Sequence, residues 1–125
     1  KVIYFDFWAR WCPPCLTEME PLKQLRSKFS TNDLIIYSIC VSEPKEQWEE
    51  CLNEYSLKNR GIECVHVTDY LGIDNYQKIR KQWKIDRIPY YILINRKGQI
   101  IDFGATARPS NPQLVSRIED AVNSK

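Results

Sequence analysis

Two cysteines three positions apart, Cys12 and Cys15, stand in the segment Trp11-Cys12-Pro13-Pro14-Cys15, between an apolar run and a stretch of helical periodicity. Thiols at that spacing at a helix start can close a disulfide without moving the backbone. The first of them lies where backbone N–H groups and the helix dipole favour negative charge. A free thiol of pKa about 8.5 is only a few per cent ionised at neutral pH. A shift to near 7 makes about half of it thiolate, the form that attacks disulfides. C-x-x-C beside a βαβ pattern points to thiol–disulfide exchange. The bland alternative is half of a zinc site, but zinc wants four ligands, no second C-x-x-C exists and His66 is the only histidine. A copper- or zinc-binding thiol carrier on Cys12 and Cys15 remains the competing class. The expectation is no metal and no cofactor.

Asp6 is the one charge in the apolar run 2–8. A carboxyl in such a strand should have a raised pKa, which suits it to proton transfer near neutrality. The bland alternative is a strand aspartate that faces solvent at an edge. Three cysteines remain. Cys40 is expected as a small core residue in a buried strand. Cys51 on a helix face and Cys64 in a strand have core packing as the default, with a second disulfide between them left open. His66 is expected as a half-exposed strand residue, and Trp48, Tyr55, Tyr76 and Trp83, at helical spacing, as core.

The elements that must hold the cysteines follow from hydrophobic period. Residues 2–8 form a continuous apolar run, as in a strand buried on both faces. Leu16, Met19, Leu22, Leu25 and Phe29 then recur every three or four residues, a helix with Pro13 and Pro14 in its first turn and a kink expected at Pro21. A second buried strand is predicted over 34–41. Pro44 opens a helix with Trp48, Cys51, Leu52 and Tyr55 inward. A short strand follows over 62–67, then a third helix marked by Tyr76, Ile79 and Trp83. Runs 90–94 and 99–103, joined at Arg96-Lys97-Gly98, form a hairpin. Asn111 and Pro112 open a last helix bearing Leu114, Val115, Ile118 and Val122. The order β-α-β-α-β-α-β-β-α implies a single three-layer α/β domain over 1–125 with a mixed sheet.

Composition fits that size. The chain has 125 residues, 43% hydrophobic and 27% charged, with 18 Lys and Arg against 16 Asp and Glu. One core can be buried without staples, and five cysteines do not make a disulfide-built scaffold. A net charge of +2 gives no field for nucleic acid or an anionic membrane. No apolar run reaches the roughly 20 residues of a membrane span. Opening on Lys1 and entering a strand at once, the sequence is expected to be a fragment or processed form of a longer chain. Any membrane attachment would then be through an N-terminal anchor outside it.

Asp6-Phe7-Trp8-Ala9-Arg10-Trp11-Cys12-Pro13-Pro14-Cys15 resembles the active-site segment of thioredoxins. The continuation from Cys15 to Leu22, and Asp86 to Gly98, resemble the bacterial extracytoplasmic TlpA/ResA-like branch, over nearly the whole chain. That resemblance implies a thioredoxin fold with a helix–strand insert at 42–69. It implies Cys12 as the exposed attacking thiol, Cys15 as the shielded resolving thiol and Asp6 as the buried acid that helps move the proton of Cys15. Pro89 aligns with the family's cis-proline, leaving the backbone of Ile88 free for an extended substrate beside Trp11, with Trp8 as core support. Two departures stand out. The helix proline comes one residue later than the branch places it, and thioredoxin's lysine near the acid has no match, Ser38 lying about where it would fall.

The implied activity is reduction of protein disulfides, in extracytoplasmic thiol maintenance or cytochrome c maturation. Partners would be protein thiol or disulfide substrates and an upstream electron donor, with the protein a monomer in the periplasm or cell envelope. The alternatives are an oxidase or isomerase of the same fold, or a cytosolic tryparedoxin-like carrier.

Overall fold

The β-forming run at the start of the chain becomes the middle of a sheet in the computed structural model, which describes residues 1–42, 44–70 and 72–124. Glu43, inside the expected insert, and Lys125 lie outside the described residues. β1 (Val2–Trp8) pairs in parallel with β2 (Leu34–Cys40) on one side and antiparallel with β4 (Tyr90–Ile94) on the other. β3 (Ile62–His66) and β5 (Ile100–Phe103) close the two edges, giving the order β3-β2-β1-β4-β5. Successive side chains of a strand point to opposite faces, and both faces of β1 are covered, as its apolar run, interrupted only by Asp6, implies. Tyr4 and Trp8 join a core with Cys12, Cys15, Leu22, Leu114 and Ile118. Phe7 joins the opposite core with Ile39, Tyr76, Ile85 and Ile92. This is the three-layer thioredoxin-like fold with a mixed sheet.

The helix after the cysteines is divided into α1 (Pro13–Thr17) and α2 (Met19–Ser27), with Glu18 at the joint. Pro21 has no N–H to give to the carbonyl of Thr17, so the ladder lapses there and resumes with Leu22 N donating to Glu18 O at 2.9 Å. The kink expected at Pro21 is therefore a break one turn earlier.

The insert consists of α3 (Lys45–Glu54), with Trp48 and Leu52 buried, and β3. β3 ends at His66, not at 67, because Val67 opens the short helix α4 (Val67–Tyr70). α5 (Gly72–Gln82) follows. At the hairpin, Gly98 takes φ +79 and its N–H bonds Asn95 O, a backbone that disfavours any residue with a Cβ. A 3₁₀ turn at Gly104–Ala107, which the hydrophobic pattern does not announce, puts Ala107 O on the buried Tyr4 hydroxyl. α6 (Pro112–Asn123) starts as its sequence predicts, the Asn111 side chain accepting from Gln113 N. Trp48 and Tyr76 are buried in the core, whereas Tyr55 and Trp83 are half-buried at its margins.

Candidate active site

Cys12 is the N-cap of α1. Its backbone is extended (φ −111, ψ 96), and its sulfur accepts from the N–H of Cys15 at 3.3 Å. Pro13 and Pro14 occupy the next two positions and have no N–H to offer. Cys12 and Cys15 are disulfide-bonded, with Cα atoms 5.3 Å apart. In this oxidised state Cys12 is not the exposed group that the sequence implied. It is 5% exposed and Cys15 2%, because both join the β1 core, against which Ile88 also packs. The exposed group is the neighbouring Trp11, at 63%.

Trp11 and Ile88 line one cleft of about 400 Å³ together with Val41, Ile85, Arg80 and Arg87. The Ile88–Pro89 peptide bond is cis. Residues 77 places apart in the sequence thus meet at one cleft, and Trp11 is the immediate neighbour of Cys12.

Asp6 is 3% exposed, on the β1 face that carries Tyr4 and Trp8. Burial, together with the negative charge of Glu18, pushes its carboxyl up to about 8. The expectation of a buried acid near neutrality holds, and the edge-facing alternative does not. Ser38 is its direct cross-strand partner in β2, wholly buried, with a hydroxyl that finds no partner among the described residues. Among the described residues no cation offsets that rise in the Asp6 carboxyl. Tyr91, also opposite Asp6, has its phenol pushed well up by burial and by that carboxyl.

Two features escaped the sequence. Glu18, at the α1–α2 joint, accepts from Ser110 N at 2.8 Å and from Ser110 Oγ at 2.7 Å, tying the cysteine helix to the loop before α6. An acid three residues after the second cysteine was the available signal. The other is a clamp around Ser42. Its hydroxyl accepts from Arg10 N at 3.0 Å and lies 3.3 Å from Cys40 Sγ.

His66 completes that clamp and is not half-exposed as expected. It is wholly buried, Nε2 lies 2.7 Å from Ser42 O, and Thr68 N donates to Nδ1 at 3.3 Å. Accepting at Nδ1 places the ring proton on Nε2, so His66 donates to Ser42 O. The insert thereby fixes the loop that enters Trp11-Cys12. Sequence cannot show this, because a lone histidine and a serine 24 residues apart carry no pattern.

The other thiols are quiet. Cys40, Cys51 and Cys64 are free, so the pairing left open between Cys51 and Cys64 is not made. Burial raises all three, Cys64 to about 11. Among the described residues no three His, Cys, Asp or Glu side chains gather as a metal site.

What the arrangement can do is form and break one disulfide at a helix cap, in a core whose central strand buries an acid, with the cleft of Trp11 and Ile88 next along the chain. Residues 1–100 match the model of a family described as thioredoxin-like. The thiol-disulfide oxidoreductase ResA of Bacillus thuringiensis is 26% identical over 102 residues, 82% of this chain and 53% of that protein. The chain thus spans about half the length of the curated relatives it matches. A solution structure from Bacteroides vulgatus, assigned as a thiol-disulfide oxidoreductase, is 34% identical with a TM-score of 0.74, covering 96% of this chain and 72% of that one. The thioredoxin domain of the Bacteroides vulgatus oxidoreductase BVU-2223 has a TM-score of 0.77 at 21% identity, covering 98% and 80%. With the cysteine cap, the sheet order and a family match over most of its length in agreement, the chain belongs to the thioredoxin-like family, in its ResA/TlpA-like part.

Proposed function

We propose that this chain is a thiol–disulfide oxidoreductase working as a reductase of protein disulfides, with Cys12 as nucleophile and Cys15 as resolving thiol. The observation that carries the reading is the Cys12–Cys15 disulfide at the cap of α1, in the core that Tyr4 and Trp8 share from the β1 face where Asp6 is buried. In the reduced protein the Cys12 thiolate attacks one sulfur of a client disulfide. That bond breaks, a Cys12–client bond forms, and the other client sulfur leaves as thiolate and takes a proton. Cys15, deprotonated with the help of Asp6, attacks Cys12 and releases the second client thiol. Two electrons pass to the client and the Cys12–Cys15 disulfide is left. An upstream thiol donor resets it.

Asp6 acts as the proton acceptor in its carboxylate form. With its carboxyl at about 8, it is a fraction ionised at neutrality and mostly ionised above pH 8. Clients dock as extended segments against Trp11 and Ile88, with Pro89 beside the disulfide. The work of such a protein is to keep thiols reduced in the cell envelope, cysteines awaiting haem in cytochrome c maturation being one client class. It acts as a monomer.

Insulin reduction driven by dithiothreitol tests this reading. The wild type should speed it many-fold over dithiothreitol alone, Cys12→Ser should not, and Cys15→Ser should accumulate a mixed disulfide through Cys12. A wild-type rate equal to dithiothreitol alone would remove the activity.

A further inference from the structure

We propose that the cleft between Trp11 and Ile88 selects client segments that carry an acidic side chain beside the target cysteine, through Arg80 and Arg87. The inference rests on the reductase reading above and names its substrate class.

The two clefts that flank the cysteine loop differ in charge. The cleft on the insert side, about 540 Å³, has Arg10 against two acids, Glu50 and Glu54. The cleft on the Ile88 side has two guanidiniums and no acid in its lining. The rest of its lining is aliphatic or aromatic: Trp11, Val41, Tyr76, Ile85 and Ile88.

Arg80 is held in place. Its Nε donates to Ile85 O at 3.0 Å, which leaves its two terminal nitrogens without a partner among the described residues. Among the described residues Arg87, next to Ile88, meets only its neighbour Asp86, at 3.8 Å, with the side chains 81% and 71% exposed. An ion pair so exposed is screened and easily exchanged for a client carboxylate. A planar guanidinium offers a carboxylate two parallel hydrogen bonds, and two guanidiniums at one cleft make a local positive field. An extended client that reaches Cys12 past Trp11 therefore lays its flanking residues along a surface that favours Asp or Glu and disfavours Lys or Arg. The opposite sign on the insert side sets the direction in which the segment lies. Charge of this kind acts on encounter rate and discrimination, and it fades with salt.

The chemistry is that of the reductase step. Cys12 attacks the peptide disulfide, Cys15 resolves it, and two electrons leave the protein.

The test uses three disulfide-bonded peptides with blocked ends, identical except for Asp, Gln or Lys beside one cysteine. Each is mixed with pre-reduced protein and the second-order rate is followed by alkylation and mass spectrometry. At low ionic strength the Asp peptide should react at least fivefold faster than the Lys peptide, with Gln between, and the ratio should approach one in 0.5 M salt. In Arg87→Glu, and in Arg80→Gln combined with Arg87→Glu, the Asp-to-Lys ratio should fall below one. A ratio within one protein cancels any general loss of folding or activity. Equal rates for the three peptides in the wild type, or an unchanged ratio in the double variant, would overturn the proposal. Reduction of none of them, the Gln peptide included, would instead remove the reductase reading and this inference with it.

Discussion

Asp6 carries a charge problem that decides how this protein responds to pH. Its carboxyl is raised from the ordinary carboxylate range to about 8 by burial and by Glu18. The unfolded chain releases this proton near pH 4, whereas the folded chain keeps it to about 8. Between those values the native state binds more protons, so stability is fully present below pH 4 and is lost as pH rises to 8. About four pH units correspond to a loss on the order of 5 kcal/mol. Asp6→Asn should therefore be more stable than wild type at pH 8 by a few kcal/mol, with the difference vanishing towards pH 4. Urea denaturation of the oxidised proteins at pH 4, 6 and 8 measures this, and a gap independent of pH would contradict it. The same variant should lose the rise in disulfide-exchange rate through pH 8. Among the thiols, limiting iodoacetamide on reduced protein near pH 7 should label Cys12 first, with Cys64 barely labelled because a thiol at about 11 is almost wholly protonated there and Cys40 shielded by its burial.

At the scale of elements, the joint at Glu18 connects three parts of the site. It ends α1, starts α2 and holds Ser110 before α6, while its charge raises Asp6. Glu18→Gln should lower the Asp6 midpoint below about 8, readable as a shift in the pH–rate profile or in the Asp6 carboxyl resonance. It should also cost about 1–2 kcal/mol through weakened bonds to Ser110. An unmoved midpoint would show that the two acids do not interact. This joint was legible only in half: Pro21 inside a helical period announces a kink, but the break falls where its missing N–H leaves Thr17 unpaired. Strands were the most legible elements, since β1 and β4 are continuous apolar runs. The 3₁₀ turn at 104–107 and α4 were not, being single turns set by tertiary contacts such as Tyr4 on Ala107.

In the whole molecule, the sheet brings together what the sequence keeps far apart. Trp11 follows β1, Ile88 precedes β4, and the antiparallel pairing of those two strands brings both to one cleft. Motif spacing made the cysteines, Asp6 and Pro89 readable, because their chemistry depends on residue type at fixed positions. The Ser42–His66 clamp and the charges of the cleft depend on side chains that meet only after folding. Under the proposed function, Cys12–Cys15 is a reducing couple. With Cys12 at the cap and prolines at the next two positions, only the Cys15 N–H is seen to meet the sulfur, so beyond it the thiolate has mainly the helix dipole, about 0.3–1 kcal/mol. Strong oxidants of this fold lie roughly 7 kcal/mol away from thioredoxin, taking 30 mV as about 1.4 kcal/mol. Equilibration with dithiothreitol buffers, followed by tryptophan emission, gives the reduction potential of the couple directly. A value within a few tens of millivolts of about −270 mV is the predicted result, and one near −120 mV would contradict the reductase reading.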